Sequence, residues 1–364
     1  MSQLLDSPES ARQAADRHAW RQAYDAYASA GRSDLAAEDL ERFADAAWWT
    51  GRLEEAIGLR ERAFAAYSSA GDALSAARLA LTLSWDHAGR GAFAVADGWF
   101  RNGERLLAGQ PESSAHGLLL LTRAVTTLFA GGDLSGAIAD FERASEIGRR
   151  LGDRDTQVLG LVGKGRALVK RGDVEQGLEL LDEATAAAVC GELHPYSTGL
   201  VYCITISSCQ ELGDYRRAAE WTEAANRWCD RLEVSGFPGA CRIHRAEILR
   251  LRGDWPAAEA QAIAACEELH DFERSITAGG YYEIGEIRRR RGDFEGAEGA
   301  YRTANELGRD PQPGLALLRL AEGKVEAAAA GIARKLDDVQ DPLRRLAILP
   351  AQVEVALAAG NLTA

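Results

Sequence analysis

The chain of 364 residues is long enough for two or three globular domains or for one repetitive array. Hydrophobic residues at 46% and charged residues at 27% exclude disorder as the main state. With 42 Lys and Arg against 55 Asp and Glu, the net charge of −13 opposes any general role in neutralising nucleic-acid phosphates.

The first residues, Met1 to Ser10 (MSQLLDSPES), lack the basic start and apolar core of a signal peptide. No stretch approaches the ~18 uninterrupted apolar residues of a membrane span, so a cytoplasmic location is expected. Only nine prolines and 7% aromatic residues accompany abundant alanine, which favours helix over strand. Residues 1–34 read as an N-terminal helical cap or partial repeat, and from position 35 to 308 the chain becomes periodic.

The period is marked by Gly, usually Asp, an apolar residue, and a small residue five positions after the Gly. It reads Gly51-Arg-Leu53 with Ala56, Gly91-Ala-Phe93 with Ala96, Gly132-Asp-Leu134 with Ala137, and Gly172-Asp-Val174 with Gly177. It continues as Gly213-Asp-Tyr215 with Ala218, Gly253-Asp-Trp255 with Ala258, and Gly292-Asp-Phe294 with Ala297. These copies lie 40, 41, 40, 41, 40 and 39 residues apart. A Gly ends a first helix in the left-handed conformation, and the Asp caps the second helix, as at Gly172-Asp173 and Gly292-Asp293. The small residue lets the two helices approach, and the apolar residue two after the Gly is expected to plug the gap between them. Second turns follow at Gly71-Asp72 and Gly152-Asp153, and Pro195, Pro238 and Pro313 mark other entries into first helices.

Such pairs bury both faces only by stacking, which predicts an all-α, right-handed α-solenoid of antiparallel helix pairs with a period of ~40 residues. No low-complexity linker interrupts positions 35–308, so residues 1–364 are expected to form a single solenoid. Residues 309–364 read as shortened and truncated repeats, because the spacing drops to 31 between Gly292 and Gly323 across Asp310-Pro-Gln-Pro313. The chain stops at Gly360-Asn-Leu-Thr-Ala364, where the pattern predicts the opening of another second helix; a truncated piece of a longer protein is expected.

Chemistry is sparse. Six histidines form no HExxH or other ligand pair, and six cysteines form no CxxC, so neither metal nor other cofactor is expected, and the thiols read as reduced and mostly buried. Gly160, Gly163 and Gly165 lack the full phosphate-loop spacing and lie inside a helix, which makes them close-packing positions. No nucleophile elbow or local triad is present, and the chain is expected not to be an enzyme. Arg288 to Arg291 complements a helix C-terminus before Gly292, or alternatively forms an anion-binding patch. First helices of such arrays line a concave groove, and positions 10, 6 and 3 before each Gly are expected to face it. The candidate groove residues are Trp48, Trp85, Phe129, Arg166, Gln210, Glu247, Arg250, Tyr282, Glu286 and Arg289. Trp48 and Trp85 equally suit gaps between helices, whereas aromatic and Arg side chains commonly dominate binding energy.

This periodicity is similar to the tetratricopeptide pattern, whose usual repeat is about 34 residues. The segments Tyr282 to Phe294 (YEIGEIRRRRGDF), Ala297 to Tyr301 (AEGAY) and Ala304 to Leu320 (ANELGRDPQPGLALLRL) resemble the helical sensor region of actinobacterial LuxR-family transcription regulators. Ala46 to Trp49 (AAWW) and Leu59 to Phe64 (LRERAF) resemble the same proteins, so the resemblance covers nearly the whole chain. It implies a MalT-like solenoid followed by a C-terminal helix-turn-helix, a module this sequence does not contain. DNA binding is therefore expected only through that missing domain. The expected function is a non-enzymatic sensor that takes a peptide, protein or small effector in its groove, with homo-oligomers possible. The alternative is a constitutive protein-assembly scaffold with no effector.

Overall fold

The computed structural model describes residues 8–30, 35–231, 237–270, 272–339 and 341–361. Among them all regular structure is helical and there is no strand. Cα packing divides the chain into two units. Unit 1 comprises residues 1–205 and 223–238, and unit 2 comprises residues 206–222 and 239–364.

Unit 1 begins with α1 (Pro8–Asp16) and α2 (Trp20–Ala30) and continues as helix pairs. These are α3 (Ala37–Trp49) with α4 (Leu53–Ala70), α5 (Ala73–Gly89) with α6 (Phe93–Leu107), α7 (Ser114–Ala130) with α8 (Leu134–Leu151), and α9 (Arg154–Arg171) with α10 (Val174–Val189). The unit division runs through α11 (Pro195–Glu211) and α12 (Tyr215–Cys229). Unit 2 continues with α13 (Phe237–Leu251), α14 (Trp255–Leu269), α15 (Arg274–Arg291) and α16 (Phe294–Glu306). It ends in α17 (Gly314–Ala321), α18 (Val325–Asp338), α19 (Pro342–Leu346) and α20 (Leu349–Ala358).

The repeat residues explain the pairing. Gly172 takes a φ of 104° at the end of α9, and the next amide, Asp173 N–H, donates back to the Leu168 carbonyl at 3.0 Å. Every small residue five after the turn, from Ala56 to Ala297, is buried. Where that residue is Gly177, α10 approaches α9 closely enough that a Cβ would stand 2.8 Å from the Gly165 carbonyl oxygen. A Cβ at Gly163 would stand 2.3 Å from the Phe141 ring and one at Gly160 2.6 Å from the Phe141 carbonyl. These glycines thus pack α9 against α8.

Four expectations need correction. The turn after α7 is made by Gly131, with a φ of 70°, and not by Gly132; one inserted residue moves the left-handed position back by one. Asp133 caps α8 and Asp293 caps α16 through backbone amides at 2.9 Å, but Asp173 makes no cap because its carboxylate accepts from Arg171 Nε at 2.5 Å. Two of the expected plugs stay outside, since Phe93 is 71% and Tyr215 43% exposed while Leu53 is buried. Finally, positions 10 before the turn are largely core: Leu81, Thr122, Val162 and Tyr282 are all buried.

Candidate functional site

In unit 1 the candidate residues fall into separate environments. Trp48 meets Trp49 edge-on at 5.0 Å and Tyr196 edge-on at 5.4 Å. Trp49 stacks on Trp20, Trp20 on His18, and His18 meets His194 edge-on at 5.2 Å. Trp48 therefore belongs to an aromatic cluster that joins α2 and α3 to the start of α11. Trp85 is partly buried and donates from Nε1 to Thr122 Oγ1 at 2.9 Å, a hydrogen bond that bridges α5 and α7. Phe129 is 79% exposed at the end of α7, and Arg166 is partly buried on α9. Beside them lies an ion set of which the sequence offsets marked only one member. Arg60 donates to both oxygens of Asp86, at 2.7 and 2.6 Å, and to Asp45 at 3.0 Å.

Unit 2 brings its candidates together more tightly. Gln210 on α11 faces His244 on α13, with its Oε1 2.9 Å from His244 Nδ1. Six residues further along α13, Arg250 donates from Nε to Glu283 of α15 at 2.6 Å and lies 3.6 Å from Glu247. Arg250 and Glu283 are both buried. Burial, and then repulsion from Glu283, push the Glu247 carboxyl up to about 7. It consequently changes charge near neutrality.

A second ionised cluster adjoins this one along α15. Glu286 accepts from Tyr301 Oη at 2.6 Å, from Arg290 at 2.5 Å and from Arg289 at 3.3 Å. Burial would raise its carboxyl, but Arg289 and Arg290 outweigh that and hold it down at about 2. Arg288 and Arg291 both bind Glu259 of α14, so all four arginines before Gly292 are engaged with carboxylates of the chain itself. Tyr282, expected on the groove surface, is in the core with Ala297, Tyr301 and Leu318. Its hydroxyl accepts from Gly314 N–H at 3.2 Å, and the Arg309 guanidinium lies 4.4 Å above its ring. Close approach requires the glycine there: a Cβ on Gly314 would fall 2.4 Å from Glu286 Oε1.

Glu283, His244, Arg309, Arg60 and Asp86 were missed by offsets counted from the turn glycine. For Glu283 a signal existed, since an acidic side chain in the middle of the run Tyr281-Tyr282-Glu283-Ile284-Gly285 must be paired if it is buried. Three buried donors of unit 2 have no hydrogen bond among the described residues; Arg242 Nε lies 3.2 Å from Glu268 in an ion pair, and two are left over. Gln210 Nε2 and Arg289 Nε are buried and have no hydrogen-bond partner among the described residues. Such atoms call for an unseen partner, because an orphaned buried donor costs about 1–3 kcal/mol. The arrangement presents hydrogen-bond donors, a carboxyl that ionises near neutrality, and fixed guanidinium groups, which suits recognition of a polar ligand. Among the described residues no group of three His, Cys, Asp or Glu side chains is placed to hold a metal ion, and no helix is long and apolar enough to cross a membrane.

No family model matches the chain, and no curated protein matches it by sequence. Solved structures do match. A chain of the APC/C hetero-tetramer Cut9-Hcn1 aligns over 94% of this chain and 59% of its own length, with a TM-score of 0.64 and 14% identity. This chain thus spans little more than half the length of that one. NprR in complex with its cognate peptide NprX aligns over 79% of this chain and 84% of its own, with a TM-score of 0.52 and 13% identity. A Rap protein complexed with competence and sporulation factor aligns over 88% and 99%, with a TM-score of 0.55 and 11% identity. At such identities the similarity is one of fold, and the fold is an all-α solenoid of tetratricopeptide type.

Proposed function

We propose that the chain is a non-enzymatic binding module that takes a peptide or an extended protein segment on the first-helix face of unit 2. The observation that carries this reading is the polar set delivered by three successive first helices. Gln210 of α11, Glu247 and Arg250 of α13, and Glu283, Glu286 and Arg289 of α15 converge there, with two buried donors unpaired. An extended backbone offers a carbonyl acceptor at each residue, the complement of unpaired amide and guanidinium N–H groups. The peptide complexes of NprR and Rap proteins, which share the fold, support the same ligand class.

In this reading the chain is the cytoplasmic sensor region of a LuxR-family regulator, a placement that rests on the resemblance of residues 46–64 and 282–320. Ligand binding then biases an attached helix-turn-helix, provided the ligand has unequal affinity for two states of the solenoid. A constitutive scaffold is the second reading, favoured by the likeness to a chain of the Cut9-Hcn1 hetero-tetramer. The coding region beyond Ala364 separates them: it encodes a helix-turn-helix in the first case and not in the second.

The binding claim is tested by panning a heptapeptide phage library on the full chain and on a Gln210→Ala, Arg289→Ala double variant with unchanged circular dichroism. A consensus enriched on the first and lost on the second is expected. Absence of any consensus, or its equal retention by the variant, would refute the site.

A further inference from the structure

A concavity of unit 2 lies at the shortened repeat. α17 has only 8 residues, whereas α15 before it has 18. So short a helix fills less of the space between the second helices on either side, α16 and α18. A concavity of about 450 Å³ opens there, within the range of small-molecule sites. Its walls are α16, the 310–312 loop, α17 and α18.

The charges around it are not evenly matched. Arg319 pairs with Glu298 at 2.5 Å and with Glu322 at 2.9 Å, Glu322 is shared with Lys324 at 3.0 Å, and Lys335 pairs with Asp310 at 2.6 Å. Arg302 of α16 and Arg334 of α18 line the same concavity from opposite helices, and neither has a hydrogen bond or ion pair among the described residues. Only Asp338 stands against them as an unpaired carboxylate. Two unpaired guanidinium groups and one carboxylate leave the site positive, in a chain whose net charge is −13. Gln312 adds a neutral donor. Its Oε1 accepts from Ala316 N–H at 3.1 Å, which turns Nε2 towards Gly331, where even a Cβ would approach it to 3.1 Å. Tyr301 and Leu315 supply carbon surface beneath these polar groups.

We propose that this concavity is a binding site for a small oxyanion-bearing ligand, a phosphate or a polycarboxylate, held by Arg302, Arg334 and the Gln312 amide. Guanidinium groups match both oxyanions through paired N–H donors, and these two reach the concavity from α16 and α18, so one ligand between them meets both. The residues that would hold the anion, Arg302, Arg334 and Gln312, are none of those on which the peptide reading rests.

Isothermal titration of the full chain at constant ionic strength tests the site with three probes: inorganic phosphate, AMP and citrate, with adenosine as the uncharged control. At least one anion should bind at one per chain and adenosine should not; which anion binds identifies free phosphate, phosphate ester or carboxylate as the source. An Arg302→Gln, Arg334→Gln double variant should weaken that binding at least tenfold while its circular dichroism and melting temperature stay those of the parent, because neither side chain has a partner to lose. The proposal is overturned if none of the three anions binds, or if the double variant binds as tightly as the parent.

Discussion

Gly177 is the one strong repeat position where the small residue five after the turn is not alanine, which invites the substitution Gly177→Ala. On propensity alone this change inside α10 should stabilise the helix by about 1 kcal/mol. Packing argues the reverse. A Cβ there would stand 2.7 Å from Val169 Cγ2, 2.8 Å from the Gly165 carbonyl oxygen and 2.9 Å from Val169 N. Two of these three atoms are backbone of α9, so relief requires the helices to separate, and overpacking of this kind costs about 1–3 kcal/mol. The net expectation is a loss of up to about 2 kcal/mol, read as a urea midpoint no higher than the parent's at unchanged slope. Gly58, inside α4, is the control: nothing lies within 4 Å of its hypothetical Cβ, and Gly58→Ala should add about 0.5–1 kcal/mol of stability and so raise the midpoint. A Gly177→Ala protein stabilised as much as the Gly58→Ala protein would refute the close contact of α9 with α10.

Asp293→Ala should cost about 1 kcal/mol because it removes the cap of α16, whereas Asp173→Ala should leave the urea midpoint nearly unchanged because Asp173 caps nothing. Glu247→Gln tests the unit 2 cluster through pH. Since the folded protein raises this carboxyl from the usual 4.5 to about 7, its ionisation destabilises the fold progressively as pH rises through that window. The variant should therefore be little different from the parent near pH 4.5 and more stable than it at pH 8, by about 3 kcal/mol at most. An equal difference at both pH values would show that Glu247 does not titrate there.

The fold was legible because its determinants are local. A left-handed glycine, a capping aspartate and a small residue five positions on act within one turn of chain, and each recurs. The misplacements are equally local in origin. Consecutive glycines at 131 and 132 let the turn slide by one residue, and Arg171, two positions before Asp173, draws its carboxylate away from the helix amides. The candidate sites were legible only in part. Counting back from the turn found Glu247, Arg250 and Glu286, yet it also selected Tyr282, which the core takes up. It passed over Glu283 because the partner that makes this residue matter, Arg250, lies 33 positions away on another helix. No local spacing encodes a contact of that kind.

The two buried arginine sets show why satisfaction of polar groups separates structure from recognition. Burying charge is a weak way to stabilise a fold, since apolar residues of similar volume often do as well. In unit 1 the Arg60 guanidinium makes three hydrogen bonds, two to Asp86 and one to Asp45. That set is closed and orients α3, α4 and α5. In unit 2 Arg250 holds one glutamate at 2.6 Å and the other only at 3.6 Å, and the neighbouring Gln210 and Arg289 each keep a buried donor without a partner. A network with incomplete partners is worse for stability than an apolar core. Its presence on three consecutive first helices is accounted for if the missing partners arrive with a ligand, and the closed set of unit 1 requires no such account.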